Sequence, residues 1–593
     1  MKREEIAVEL TWDMSPVYES DDVFLKEYDE IATAINDINA YKGHLSDSPE
    51  MLLDYFRLRD RINEKVNRLY FYANQKLHEN LGNSTYQEYA GKTENLANNW
   101  MTLVSFEEPE IMQAGEERIR EFILSKEELK IYDRSVSEIF RMKEHILPKD
   151  MSELLAMSGE MASGPSDIFA KFSNVDLKFP IIKDEEGNEV RITHGNYIKY
   201  LESTDREVRK AAFEAMYNTY EEYGNLMASI YNASVKKDTF YSKAEKYAST
   251  LDKELDDNDI PKSVYINLIG AVHKNLPLMH RYMKLRKKSM GYDELHMYDI
   301  YTPIVNREEK EIPYDKAKEM VVKGLEPMGT EYLNILKEGF DNRWIDVCEN
   351  EGKRSGAYSW SCYGCHPYVL LNYQSNLDSV FTLAHEMGHA IHSYYTNQNQ
   401  PSVYSGYTIF VAEVASICNE ALLLHHLLNT SEDIEEKRYL INNYLEKFRG
   451  TLFRQVMFAE FEMLTHEKVE AGEVLTKDCL CEMYYNLNKK YYGDDIEEDR
   501  LIEMEWARIP HFYTPFYVYQ YATGFAAAIS LYANILKNGE EAVKDYVSFL
   551  SGGCSKSPID LLKMAGVDMT TEEPVENAMK IFEGLLEQME GLV

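Results

Sequence analysis

From the N-terminus to about residue 165, apolar and charged positions recur at helical spacing with few breakers. That pattern predicts several long helices, each burying one stripe of side chains. Ser163-Gly164-Pro165-Ser166 interrupts it. Residues 177–183 and 189–193 then read as two short strands, with Asp184-Glu185-Glu186-Gly187-Asn188 as the turn between them. Thr204-x-x-Glu207 has the form of a capping box. The helix it opens would bury Val208, Ala212, Ala215 and Met216. Helices dominate to about residue 350. Residues 353–377 differ, being rich in Tyr, Ser and Gly, and predict a loop with an edge strand around 368–373. From Asp378 onward the period is helical again, except around 509–517.

Composition sharpens this picture. Gly 29 and Pro 17 are few for 593 residues, which favours long helices over many short strands. Asp+Glu 101 against Lys+Arg 64 leaves a formal charge of −37. A surface that acidic repels phosphate backbones, and no basic cluster offsets it, so a nucleic-acid partner is not expected. The start, Met1-Lys2-Arg3-Glu4-Glu5, is not followed by an apolar segment of the signal-peptide kind. The longest apolar stretch, 524–536, is short for a bilayer span. The expectation is a cytoplasmic protein without a membrane partner. Seven scattered cysteines fit free thiols rather than a disulfide framework. Cys362-Tyr363-Gly364-Cys365-His366 has the form of a haem-attachment motif, but nothing supports export and no second cysteine pair lies at zinc-finger spacing. Its expected reading is two incidental thiols.

The informative chemistry lies in His385-Glu386-Met387-Gly388-His389, an H-E-x-x-H motif on a predicted helix with Asp378 as N-cap. His385 and His389 fall one turn apart on one face, so both imidazoles can reach one Zn²⁺. Glu386 is placed to act on a water at that ion. Chance matches to this motif number roughly 0.04 per chain of this composition, so it weighs as evidence without deciding alone. A catalytic zinc needs a third protein ligand and an open position. The three-histidine continuation fails, because His392 and Tyr395 stand where a glycine and a histidine belong. A carboxylate from a second helix, expected over 408–428, is the other solution. Glu413 is favoured as that ligand and Glu420 as its support. His392 either lines the site or is an ordinary helix histidine.

A second candidate is the proline-interrupted aromatic run from Ile509 to Gly524, which contains His511, Tyr517, Tyr519 and Tyr521. By composition it reads as aromatic packing with polar handles. A zinc peptidase also needs oxyanion donors, which His and Tyr supply. Two other readings remain open at this point. One is a carboxypeptidase, using Arg354 or Arg508 to hold a substrate C-terminus. The other is a peptide-binding protein with a structural zinc, although such sites usually have four ligands rich in cysteine.

Several segments together resemble the oligoendopeptidase F branch of the thimet oligopeptidase family. They are Gly352-Lys353-Arg354-Ser355-Gly356-Ala357-Tyr358-Ser359, His366-Pro367-Tyr368, Asn376-Leu377-Asp378-Ser379 with the H-E-x-x-H motif, the run from His511, and Phe169-Ala170-Lys171-Phe172 and His194-Gly195-Asn196-Tyr197 earlier in the chain. The resemblance implies a mostly α, two-lobed helical clamshell with a deep central cleft and a small β hairpin or edge strand near the zinc helix. It implies an N-terminal helical lobe over 1–200 and a catalytic domain over 201–593. It implies one zinc per chain, held by His385, His389 and Glu413 (the last in a Glu-x-x-Ser context with Ser416), with Glu386 as general base. It further implies short peptide substrates cut internally. His511 and Tyr517 would act on the transition state, and Tyr519 or Tyr521 on the substrate. The extended segment carrying Gly356 and Tyr358 would bind substrate backbone by strand addition. Trp360-Ser361-Cys362 departs from the small residues expected there.

Overall fold

Ser48 sets the start of the longest described helix. Its hydroxyl accepts from Met51 N–H, and Pro49 occupies the first turn, where a missing N–H costs nothing. This helix, α1 (Pro49–Glu79), buries Leu52, Phe56, Ile62, Val66, Leu69 and Ala73, the stripe that a 3.6-residue period dictates. The structure is a computed structural model that describes residues 1–305 and 310–592. It is mostly α, with one two-stranded and one three-stranded sheet among the described residues.

The chain divides into two compact units that interleave in sequence. The first comprises Met1–Glu144, Glu309–Leu427 and Leu531–Gly566, and the second His145–Glu308, Leu428–Ser530 and Val567–Val593. In the first unit the α1 stripe joins Trp12, Phe24, Ile111, Ile119 and Tyr132 in one core that reaches Tyr368 and Leu370 of the sheet. Each such large side chain contributes roughly 1.5–3 kcal/mol on leaving water.

The three-stranded sheet belongs to this unit. Strand β3 (Tyr368–Leu370) lies between β1 (Ile345–Asp346), to which it is parallel, and β2 (Tyr358–Trp360), to which it is antiparallel. The strand expected at an edge is thus the central one, and β2 is an edge. The reason is burial: Tyr368, Val369 and Leu370 are fully enclosed, and a strand covered on both faces fits the middle of a sheet. Lys353 ties the sheet together. Its ammonium meets Asp346 at 2.6 Å and donates to the carbonyls of Cys348 and Leu371, each at 2.6 Å. Arg3 also pairs with Asp346. Burial pulls the Lys353 pKa down, and the Asp346 carboxylate opposes that.

Two helices follow the sheet. In α2 (Leu377–Asn399) the N-cap is Asn376, whose side chain accepts from Ser379 N–H at 2.9 Å. Asp378, expected as the cap, instead lies in the first turn, where its charge favours the helix dipole. Next comes α3 (Ile409–Thr430), which is long and apolar enough to cross a membrane by length and composition alone. Most of its apolar window is buried in the protein, so those side chains serve as core.

The second unit holds the expected hairpin, Ile181–Lys183 paired antiparallel with Glu189–Arg191. Asp184 accepts three turn hydrogen bonds, from the N–H groups of Glu186 and Asn188 and from the Asn188 amide. The helix Arg206–Glu222 is capped by Asp205, whose side chain accepts from Glu207 N–H. Thr204, expected as the cap, is engaged elsewhere: its N–H, like the Ser203 hydroxyl, donates to Glu185. Arg209 and Asp299 form a fully buried pair at 2.8 Å. The aromatic run contains a short 3₁₀ turn, Pro510–Tyr513, before helix α4 (Tyr519–Asn538).

Lys353→Met should leave the Asp346 carboxylate undercompensated and destabilise the protein by about 3–5 kcal/mol. Adding Asp346→Leu should restore most of the loss. Urea unfolding followed by circular dichroism measures both.

Candidate metal centre

One helical turn separates His385 from His389, so their rings rise from the same face of α2. Their Nε2 atoms stand 3.2 Å apart. Glu413 of α3 places Oε2 at 3.3 Å from His385 Nε2 and 3.5 Å from His389 Nε2. Among the described residues this is the one group of three or more His, Cys, Asp or Glu whose ligand atoms converge. Ligands about 2.0–2.1 Å from a tetrahedral ion stand about 3.3–3.4 Å apart along each edge. The three measured edges match that figure, so the donor set fits Zn²⁺.

The layer behind the three donors explains their aim. His385 Nδ1–H donates to Glu420 at 2.6 Å, which turns the Nε2 lone pair toward Glu413 and His389. The Ser416 hydroxyl donates to the Glu413 carboxylate at 3.0 Å. Asn419 donates to the Ala384 carbonyl of α2 at 3.1 Å and accepts from Tyr332 at 2.8 Å, bonding one helix to the other. Gly388 permits the close crossing. A Cβ there would stand 2.6 Å from Ser416 Cα and 2.7 Å from the Ala415 carbonyl, with backbone on the far side that cannot swing away. Neither Gly388 nor Asn419 was singled out from sequence. A glycine inside a helix costs about 1 kcal/mol against alanine, and that cost was the available signal of a close backbone approach.

Comparison with known proteins bears on this geometry. Residues 199–581 match the family model described as Peptidase family M3, and residues 110–179 match Oligopeptidase F. The chain belongs to peptidase family M3. Oligopeptidase PepF of Bacillus subtilis (strain 168) is 48% identical over 591 residues, covering 100% of this chain and 88% of its own length. Group B oligopeptidase PepB of Streptococcus agalactiae is 40% identical, covering 100% and 98%. The crystal structure of oligoendopeptidase-F from Enterococcus faecium is 38% identical with a TM-score of 0.74, covering 96% of this chain and 99% of that one. A crystal structure from Chlamydophila abortus has a TM-score of 0.94 at 35% identity, covering 100% of both. The protein is a metallopeptidase, and its substrates are peptides.

Within this M3 peptidase the charges around the donors are informative. Burial works against a charge on His385, yet Glu413 and Glu420 outweigh it and raise the imidazole to about 10. Glu413 shows the converse: burial pushes its carboxyl up, but hydrogen bonds to the two histidines hold it well below the usual range. Glu386 is buried, its Oε2 has no hydrogen-bond partner, and desolvation raises its pKa. One of its two carboxylate oxygens is thus unpartnered. His392 is fully enclosed and stacked on Tyr407 at 3.9 Å, and burial pushes its pKa down to about 3. It is a neutral core histidine.

In the second unit of the M3 peptidase, His511, Tyr517 and Tyr521 cluster. His511 stacks with Tyr517 at 6.1 Å between ring centres, and Tyr521 Oη lies 3.5 Å from His511 Nε2. Tyr519 points the other way: it is 1% exposed and packs on Tyr265 at 5.2 Å, because the α4 turn sends alternate tyrosines to opposite faces. In the first unit Tyr358 donates its hydroxyl to Gln75 and meets His78 Nδ1 at 2.6 Å. Its side chain anchors β2. Gly356, at φ +83°, offers its carbonyl to Asn372 at 2.8 Å.

Gly388→Ala should force α2 and α3 apart, cost about 1–3 kcal/mol and lower the bound metal per chain. Elemental analysis of purified protein, beside a thermal melt, reads both effects.

Proposed function

We propose that this M3 peptidase is a zinc-dependent oligoendopeptidase that hydrolyses internal bonds of short peptides with Glu386 as general base. The convergence of His385, His389 and Glu413 at the edges of one tetrahedron carries the reading. Zinc bound there would supply Lewis acidity, polarising the scissile carbonyl and acidifying water. Glu386 takes the proton from the attacking water on its free Oε2 and delivers it to the departing amine nitrogen. Glu420 holds the His385 tautomer throughout. His511 and the Tyr517 hydroxyl are the donors offered to the oxyanion, with Tyr521 beside them. That assignment rests on family likeness and on their clustering in one unit. Substrate backbone adds to the free edge of β2, with Gly356 leading into it and Tyr358 holding it in place.

The chemistry of the cations favours endopeptidase over carboxypeptidase action. Arg354 meets His78 Nε2 at 2.8 Å, and Arg508 meets Glu505 at 2.7 Å and Tyr217 at 3.2 Å. Both guanidinium groups proposed as carboxylate clamps are already engaged. A structural zinc is disfavoured by the donor set, which has two His and one Glu with a free carboxylate beside them. All seven cysteines are free thiols, which supports a cytoplasmic setting.

Glu386→Gln should retain zinc and lose turnover by roughly 10²–10⁴-fold. The assay is a quenched peptide blocked at both ends, with product masses recorded before and after chelation. Wild-type turnover by the variant would refute the base, and failure to cut the blocked peptide would refute the endopeptidase reading. Glu413→Ala should deplete zinc more than Glu420→Ala does. Metal analysis showing the reverse order would make Glu420 the ligand.

A further inference from the structure

The Cys362-x-x-Cys365 motif takes no part in the chemistry above. Cys365 N–H donates to the Cys362 carbonyl at 3.2 Å, closing a turn around Tyr363 and Gly364. Gly364 has φ +79°, the left-handed value that a type II turn requires at its third residue. Such a turn brings its first and fourth Cα atoms within about 7 Å, overlapping the span of about 4.4–6.8 Å that a disulfide bridges. The two thiols thus stand at the two ends of one closed turn, Cys362 buried and Cys365 partly exposed. His366 stands apart: it donates to the Pro367 carbonyl at 2.8 Å and stacks on Trp344. The motif is therefore not part of a three-ligand cluster.

Arg68 of α1 gives the pair its polarity. Its Nη2 lies 3.6 Å from Cys365 Sγ. Among the described residues no carboxylate comes within ion-pair distance of this half-buried guanidinium. The acidic neighbour Glu27 is bonded to Lys65 at 2.8 Å and Tyr18 at 2.6 Å. A thiolate at Cys365 supplies the charge that Arg68 lacks. The hydrogen bond from Cys362, with Arg68, pulls the Cys365 thiol down to about 6 against its burial. The same hydrogen bond, with burial, pushes Cys362 up. Of the other titratable groups near the pair, Tyr18 and Tyr368 are held protonated by burial, and Glu64 lies on the cavity that Cys362 lines. Cys362 also lines a polar cavity of about 480 Å³ walled by Asn63, Glu64, Asn67, Asn397 and Tyr407, and Cys365 is itself partly exposed.

We propose that Cys362 and Cys365 form a redox-active dithiol that low-molecular-weight disulfides oxidise, with Cys365 as the attacking sulfur and Cys362 as the resolving one. The Cys365 thiolate attacks one sulfur of R–S–S–R, forming a mixed disulfide and expelling RS⁻. Cys362 gives up its proton, and its sulfur displaces the second RS⁻. The protein loses two electrons, and the small disulfide becomes two thiols. This places a redox-sensitive turn directly after the β2 edge strand.

The test uses the reduced full-length protein and glutathione disulfide, followed by alkylation and peptide mass mapping, so no readout depends on peptide hydrolysis. The Cys362–Cys365 peptide should lose two hydrogens and escape alkylation. Cys362→Ser should stop at a glutathione adduct on Cys365, and Cys365→Ser should form neither product. In the reduced wild type, the pH midpoint for Cys365 alkylation should lie near about 6. Arg68→Gln should move it toward the ordinary value of about 8.5, and Arg68→Lys should hold most of the shift. A persistent wild-type adduct without ring closure would overturn the resolving role of Cys362. An ordinary midpoint in the wild type would overturn the role of Arg68 and Cys365. Should Arg68→Gln fail to fold, the two serine variants decide the matter.

Discussion

Two helices cross at Gly388 with no room for a methyl group between them, and the metal centre depends on that crossing. Hydrogen between Gly388 and the backbone of Ala415 and Ser416 sets the depth at which α3 sits on α2. That depth lets a glutamate side chain from one helix reach imidazole nitrogens on the other within 3.5 Å. The bond from Asn419 to the Ala384 carbonyl fixes the same approach from the side. A peptide carbonyl and an amide thus hold in register what a metal ion would bind. The site is organised by the core before any ion arrives, which is how rigid elements give precise geometry.

Charge balance points the same way. Neither Glu386, which is buried, nor Glu413, which is partly exposed, has a lysine or arginine partner among the described residues. Enclosed carboxylates without cations are costly. Protonated histidine meets part of the deficit around Glu413, and a divalent ion would meet it better. Two other buried acids are paired with cations, Asp346 with Lys353 and Asp299 with Arg209.

The small sheet is tied together from within. Its central strand is fully enclosed, and its cross-link, Lys353, donates to backbone on both sides of the turn. The outer strand β2 is held from behind by Tyr358, His78 and Gln75, and its other edge pairs with no strand among the described residues. Arg354 belongs to that anchor. A cation that by sequence could serve a substrate carboxylate is, in the folded protein, part of the scaffold.

Periodicity and local chemistry are properties of neighbouring residues, so the sequence by itself determined the helical class, the hairpin at 181–191 and the pairing of His385 with His389 on one face. The spacing of Glu413 and Glu420 also limited the third donor to two candidates on one helix. Local rules misplaced Asp378 and Thr204 by a residue or two, because Asn376 and Asp205 competed for the same orphan N–H groups. Tertiary structure decided what depends on distant chain segments meeting. It made 368–370 a central strand, buried Tyr519 while grouping Tyr521 with His511, neutralised His392 against Tyr407, and joined Arg68 to a cysteine turn nearly three hundred residues away. Those outcomes are set by which surfaces pack together, and packing is decided by the whole chain at once.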